Sequence, residues 1–308
     1  MDFVLKIAAL ILILLGGVFL RRKGFFEEGD YRVISRIVVN MTLPAAVVHA
    51  FSDFEKSGEM LFVVLAGIVF SSLSGMISLL FKKRKDKGVR AFFALGASGY
   101  SIGSFAMPLI QTFYESSSAI VCMFDIGNAV VVTGGAYALT SAVLQTGTEG
   151  RETPGSILKK LCSSVPFDTY VLMFLLVCLN VRVSDVVLKL TAPVAAANKF
   201  LAMLMIGMMI KPVSFRSGLK EVIWLVIYRA LLGILFAVVI FFAAPFSLEI
   251  RKILTVLVFA PISIFAPVYT EKAGGDGGLA GVASSVSVFT GLVFMLVVMF
   301  LETLLAGQ

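Results

Sequence analysis

Few side chains in this 308-residue chain have chemistry that is out of place where they stand. Asp125, Lys199 and Arg229 all fall inside long apolar runs. An ionisable group in such a run is costly unless it faces a cavity or a partner, which marks all three as candidates for binding or coupling. Lys199 could hold the carboxylate of an organic anion, or it could pair with Asp125 and fix helix packing. Asp125 and Asn128 are one helical turn apart, so a carboxylate and an amide share a face and could coordinate a sodium ion or carry a transported proton. Arg229 reads as a structural partner or as a side chain reaching for the interface. His49, the single histidine, lies near the end of its run, where an imidazole either titrates in proton coupling or is simply solvated. No Ser/His/Asp set, His-Glu-x-x-His pattern or phosphate-cradling Gly-x-x-x-x-Gly-Lys loop accompanies them, so enzyme chemistry and ATP-driven transport are not expected. Cys122, Cys162 and Cys178 are scattered and read as small apolar filler, with no metal site.

The elements that must position these groups are interrupted. Ala91–Gln111 contains Gly96, Gly99, Ser101, Gly103 and Pro108, and Ile250–Tyr269 contains Pro261, Ser263 and Pro267. In lipid a freed peptide N–H or C=O must find a partner in protein or in a wet cavity. Two such interruptions at corresponding places in two halves point to a substrate site near the bilayer midplane, built from Ser101, Gly103, Pro108, Pro261 and Ser263 with Lys199 nearby. If the breaks cross, their half-helix ends bring partial charges of about half an elementary unit to one spot.

The composition is that of an integral membrane protein: 59% hydrophobic, 15% charged, with a mean hydropathy of +0.99. The apolar runs suit helices of about 20 residues, and they predict an all-α bundle of about ten spans. These are Phe3–Leu20, Val33–Phe51, Met60–Phe81, Ala91–Tyr114, Ser117–Leu144, Val165–Val181, Val187–Ile210, Glu221–Ala244, Ile250–Tyr269 and Leu279–Leu305. Basic residues concentrate after the odd-numbered spans, notably at 21–23, 82–90, 159–160 and 211–220. This places those loops in the cytoplasm and both termini outside it. The net charge of +7 thus sets topology and implies no nucleic acid. The first run has its arginines after the apolar stretch and no cleavage site, so it reads as a helix rather than a secretory signal.

A hydrophilic stretch divides the chain into a five-span repeat over residues 1–145, a cytoplasmic linker over 146–164 and a second five-span repeat over 165–308. An odd number of spans per half inverts the second repeat in the membrane.

Several short motifs resemble the auxin efflux carrier family, within the bile-acid-symporter-like superfamily. They are Gly103-Ser104-Phe105-Ala106-Met107-Pro108-Leu109-Ile110, Asp125-Ile126-Gly127-Asn128, Val38-Val39-Asn40 leading to Leu43-Pro44, Ile206-Gly207, and Ala260-Pro261. The resemblance implies two inverted five-helix repeats, crossing broken fourth and ninth helices, and a transport domain moving against a scaffold of helices one, two, six and seven. It also implies a possible homodimer through that scaffold and transport of small organic anions, and it adds Asn40 as a secondary polar candidate. Where the family commonly carries asparagine, seven residues before the fourth-helix proline, this chain has Ser101.

The expected function is a secondary active transporter that moves a small organic anion, auxin-like or dicarboxylate, by alternating access. It would use no cofactor and could couple to Na+ or H+. The competing class is a non-transporting polytopic sensor or an intramembrane enzyme.

Overall fold

The computed structural model describes residues 2–27, 29–52, 54–81, 86–114, 117–146, 153–210 and 218–306. Among these all regular structure is helical. The elements are α1 (Asp2–Arg22), α2 (Tyr31–Ile37), α3 (Leu43–Phe51), α4 (Met60–Phe81), α5 (Lys87–Ala97), α6 (Met107–Phe113), α7 (Ser118–Val130), α8 (Ala136–Leu144), α9 (Pro154–Leu161), α10 (Val165–Cys178), α11 (Asp185–Met209), α12 (Leu219–Ala243), α13 (Leu248–Leu257), α14 (Ala266–Lys272) and α15 (Gly277–Ala306). Wide π-type turns at Val38–Thr42 and Val131–Gly135 join α2 to α3 and α7 to α8, and a third, Ile102–Ala106, leads into α6.

Among the described residues six helical stretches are long and apolar enough to cross a membrane: Tyr31–Phe51, Met60–Leu80, Ser118–Leu144, Asp185–Met209, Leu219–Ala243 and Gly277–Leu304. The number rises to eight if the bent pairs α5 with Ile102–Phe113 and α9 with α10 each count as one span. The expected ninth span is divided between α13, of 10 residues, and α14, of 7. At ~1.5 Å per residue neither piece crosses a hydrocarbon layer of ~30 Å alone. Basic residues Lys82, Lys83, Arg84, Lys85, Lys211 and Arg216, on which much of the expected orientation rests, lie outside the described residues.

The hydrophilic stretch 146–164 carries a helix of its own, α9, started by a reciprocal cap. Thr153 Oγ1 accepts from Ser156 N–H at 3.2 Å, and Ser156 Oγ accepts from Thr153 N–H at 3.0 Å. Pro154 occupies the first turn, where its missing N–H costs nothing.

The chain forms two compact units. The first comprises Met1–Met60, Ile102–Met123 and Ser163–Pro212, the second Leu61–Ser101, Phe124–Cys162 and Val213–Gln308. In the first unit α1 lies along α11, brought close by a glycine on each: a Cβ on Gly17 would stand 2.4 Å from Leu204 O, and one on Gly207 2.0 Å from Leu14 O. Arg21 Nη1 closes the end of α11 by donating to Met208 O and Ile210 O at 2.9 Å. Thr42 donates to the buried Asn198 Oδ1 at 2.9 Å, tying the π-turn Val38–Thr42 to α11.

In the second unit α4 and α7 approach through Gly67 and Gly127, whose Cβ atoms would lie 2.1 Å from Phe124 O and 2.0 Å from Val64 O. Beside an apolar core it buries polar side chains, and its exposed surface is rich in large apolar ones. Ser71, Ser74, Ser78, Asn128 and Thr140 are buried, while Leu231, Leu235, Phe242, Val293 and Phe300 are exposed. Surrounded by lipid, apolar side chains gain nothing by turning inward, and close backbone packing with internal hydrogen bonds holds the helices together.

Gly127→Val should lower the thermal unfolding temperature in detergent, with an overpacking cost of about 1–3 kcal/mol. Gly16→Ala, where nothing among the described residues lies within 4 Å of the added carbon, should leave it unchanged or raise it.

Candidate functional site

The chain leaves helical geometry after Ala97. Ser98 turns extended, at ψ 137°, and Gly99 takes φ +70°, a left-handed conformation that glycine adopts without strain. A Cβ at Gly99 would also lie 2.2 Å from Val132 Cγ1, so space and backbone both require glycine there.

Each main-chain donor of the four-residue break has a partner. Ser98 N–H donates to Ala94 O at 3.0 Å, Gly99 N–H to Ser71 O at 2.8 Å, and Ser101 N–H to Pro261 O at 2.9 Å. Tyr100 N–H donates to Asn128 Oδ1 at 2.9 Å, and Asn128 Nδ2 returns a bond of 2.9 Å to Tyr100 O. The amide of Asn128 therefore pairs with Tyr100 as a neighbouring strand would. Its remaining capacity is taken by Ser71 Oγ, which donates to Oδ1 at 2.8 Å, and by Asp125 Oδ1, which accepts from Nδ2 at 2.8 Å. Asn128 is buried and uses two donors and two acceptor sites, all that a side-chain amide offers.

Carbonyls at the end of α5 and in the break are bonded by Arg229 on α12. Its Nη1 donates to Gly96 O, Ala97 O and Gly99 O at 3.2, 2.7 and 3.2 Å, and its Nη2 donates to Ala260 O at 2.9 Å. The guanidinium lies 5.1 Å from the centroid of the Tyr100 ring. A cation is favourable where helix carbonyls end, and Arg229 serves the end of α5 and the start of the second break together. That second break runs from Val258 to Phe265. Ile262 N–H donates to Ser287 Oγ at 3.0 Å, and Ser263 Oγ accepts from Phe265 N–H at 3.3 Å. The two interruptions thus meet through Ser101 and Pro261, and through the shared guanidinium.

A pocket of about 30 Å³ lies beside this junction, lined by Arg229, Ala260, Pro261, Ser287, Thr290 and Gly291 among others. It has room for one water. A second cavity of about 200 Å³ opens beside Ser98, with Ser72 and Thr140 among apolar walls that include Met76, Leu79 and Leu139.

Residues 2–148 match the family described as Membrane transport protein. The match covers a little under half of the chain. A curated protein named as an uncharacterized transporter, from Methanothermobacter thermautotrophicus, is 24% identical over 132 residues, 41% of this chain and 43% of that relative. The match thus spans less than half the length of the relative. With its apolar helices and this match, the chain is an integral multi-pass membrane protein, and three of the motifs that resemble auxin efflux carriers, at 38–44, 103–110 and 125–128, lie within the matched residues.

The second unit gathers Ser101, Asp125, Asn128, Arg229, Pro261 and Ser263. Asp125 is 8% exposed and is held by Asn128. The first unit holds Gly103, Pro108, Lys199, Asn40 and His49. Gly103 is part of the π-turn leading into α6. Pro108 stands in the first turn of α6 and is buried, so the interruption lies at Ser98–Ser101 rather than at the proline. Lys199 is partly exposed on α11. Asn40 is exposed and donates to Arg36 O at 2.9 Å, a local helix contact. His49 is tied to Thr191 Oγ1 at 3.0 Å through Nε2 and is only partly exposed, so simple solvation does not describe it. Arg229 does not reach for the interface: it turns inward onto the broken backbone. Sequence reading missed Tyr100 and Ser71, since their contribution is largely through main-chain atoms that any residue type supplies.

Asn128→Ala would leave Tyr100 N–H and O without their partner, at about 1–3 kcal/mol per buried group. A clear fall in thermal unfolding temperature is expected, and Asn128→Asp should recover little of it, because a carboxylate keeps the acceptors but cannot donate to Tyr100 O or Asp125. Unfolding followed in detergent measures all three proteins.

Proposed function

We propose that this chain is a secondary carrier moving a small organic anion, a mono- or dicarboxylate, across the membrane by alternating access. The observation that supports this most is the meeting of two interrupted apolar segments through Ser101 N–H and Pro261 O, within a chain whose first half matches a transport family. Interrupted helices meeting inside a bundle are a recurrent way to build a midplane substrate site. In this reading the chain forms ten spans as two inverted five-helix repeats, residues 1–145 and 165–308, with both termini outside the cytoplasm. Broken helices four and nine cross, and a homodimer forms through the scaffold helices.

In this reading the substrate sits beside the junction of Ser101, Pro261 and Ser263, and Gly103, Pro108 and Lys199 are further candidate ligands, Lys199 for the carboxylate. Asp125 is the group that takes up Na+ or H+, with Asn128 holding it in place.

Purified protein in liposomes, loaded with radiolabelled carboxylates under imposed sodium or proton gradients, tests this directly. Gradient-dependent exchange of at least one carboxylate is expected, reduced about tenfold or more in Ser101→Leu and Lys199→Ala, a change equivalent to ~1.4 kcal/mol. Asp125→Asn should abolish the dependence on the coupling gradient. Absence of flux for every carboxylate from a well-folded preparation would overturn the carrier reading. Full flux in Lys199→Ala would remove Lys199 from the site.

A further inference from the structure

Arg229 is unusual in what it touches. Among the described residues, its guanidinium donates to four main-chain carbonyls, of Gly96, Ala97, Gly99 and Ala260, and these come from two separate interruptions of the chain. The Tyr100 ring lies alongside, its centroid 5.1 Å from the guanidinium carbon. Tyr100 is itself fixed at its main chain by Asn128 and through its hydroxyl, which donates to Phe70 O at 3.4 Å. Tyr228, the preceding residue of α12, donates to Ser74 O at 2.6 Å and anchors the helix that delivers the guanidinium.

Converging carbonyl oxygens with an aromatic face are the chemistry of a cation receptor. Carbonyl rings replace the hydration shell of a bound ion, and an aromatic ring attracts a cation through its quadrupole. Each of these carbonyls is at or near the end of a broken helical segment, where the helix dipole adds negative potential. Without a cation, the oxygens would face one another across lipid-level protein, each short of a donor.

We infer that Arg229 is a resident, covalently tethered cation occupying a carbonyl-and-aromatic cation site at the junction of the two interruptions, and that removing its side chain leaves a receptor for free guanidinium-type cations. The guanidinium is suited to the place because it is planar, spreads its charge and offers several N–H groups in a fixed fork, whereas a lysine ammonium is a compact point charge. A tethered cation also holds the junction closed at any external salt composition. The geometry of the junction requires this independently of what the carrier moves.

The test uses purified full-length protein in detergent and reads thermal unfolding. Arg229→Ala lacks the two outer methylenes and the guanidinium, which ethylguanidinium replaces atom for atom. Arg229→Ala should unfold at a lower temperature than the parent. Millimolar ethylguanidinium should raise that temperature saturably, by about 2 °C at concentrations ~10-fold above its Kd, while leaving the parent unmoved. Ethylurea, which has the same shape without the charge, should have no effect. A folded, monodisperse Arg229→Ala protein that shows no saturable shift, or the same shift with ethylurea, overturns the inference. If Arg229→Ala does not yield folded protein, Arg229→Lys and Arg229→Gln decide the matter. A cation site predicts that Lys retains clearly more stability than Gln, and equal stability of the two would show that only hydrogen-bond donors, and no charge, are required.

Discussion

The structure depends on one constraint: a helix interrupted inside a membrane frees peptide groups that lipid cannot solvate. The first interruption answers it internally at every donor, and the second does so at Ala260 O, Pro261 O and Ile262 N–H among others. At Ser98–Ser101 all four main-chain donors are paired, with Ala94, Ser71, Asn128 and Pro261 supplying the acceptors. The exposed carbonyls are shared between Arg229 and Asn128. Two polar side chains on helices α7 and α12 therefore make it possible for α5 to stop where it does. Each unmet group would cost several kcal/mol in such surroundings, of the order of the whole stability of many domains.

The same constraint accounts for the charges that stand within apolar helices. Arg229 would be expensive as an isolated cation in the membrane, yet it is surrounded by the negative ends of peptide dipoles and by the face of an aromatic ring. Arg21 uses the same chemistry in the first unit, donating to the last carbonyls of α11. In the sequence Arg21 reads as a topogenic loop charge and Arg229 as a structural partner or a side chain reaching for the interface. In the fold both close helix ends. With the carbonyls neutralised by Arg229, a carboxylate approaching the junction does not meet bare helix C-termini, which is compatible with an anion as cargo.

Close approach of backbones is the second requirement, and glycine provides it. Gly67 with Gly127, and Gly17 with Gly207, bring helix pairs near enough that a methyl group at any of them would collide with a main-chain oxygen. Gly99 has a different task, a left-handed turn under Val132 that lets Asn128 reach Tyr100. Packing and site geometry are thus linked, because Gly127 and Asn128 are consecutive: the approach of α7 to α4 is what carries Asn128 to Ser71 and the break.

The sequence by itself determined the helical class, the membrane setting, a resemblance to membrane transport proteins over its first 148 residues and the approximate places of the two interruptions. These follow from local properties: length and apolarity of runs, glycine and proline inside them, and short motifs. It also singled out Asp125, Asn128, Arg229, Ser101 and Pro261, because polar groups and breaks in apolar runs are conspicuous. It could not narrow the first break from the stretch Gly96–Pro108 to Ser98–Ser101, since proline is tolerated in the first turn of a helix as readily as it interrupts one. The helix α9 was hidden by the polarity of its surroundings, although Thr153, Pro154 and Ser156 spell a cap once it is sought. Only the tertiary structure decided which polar groups meet. The partners of Arg229 are carbonyls 31 to 133 residues away in the chain, and a peptide carbonyl carries no side-chain identity by which a sequence could announce it.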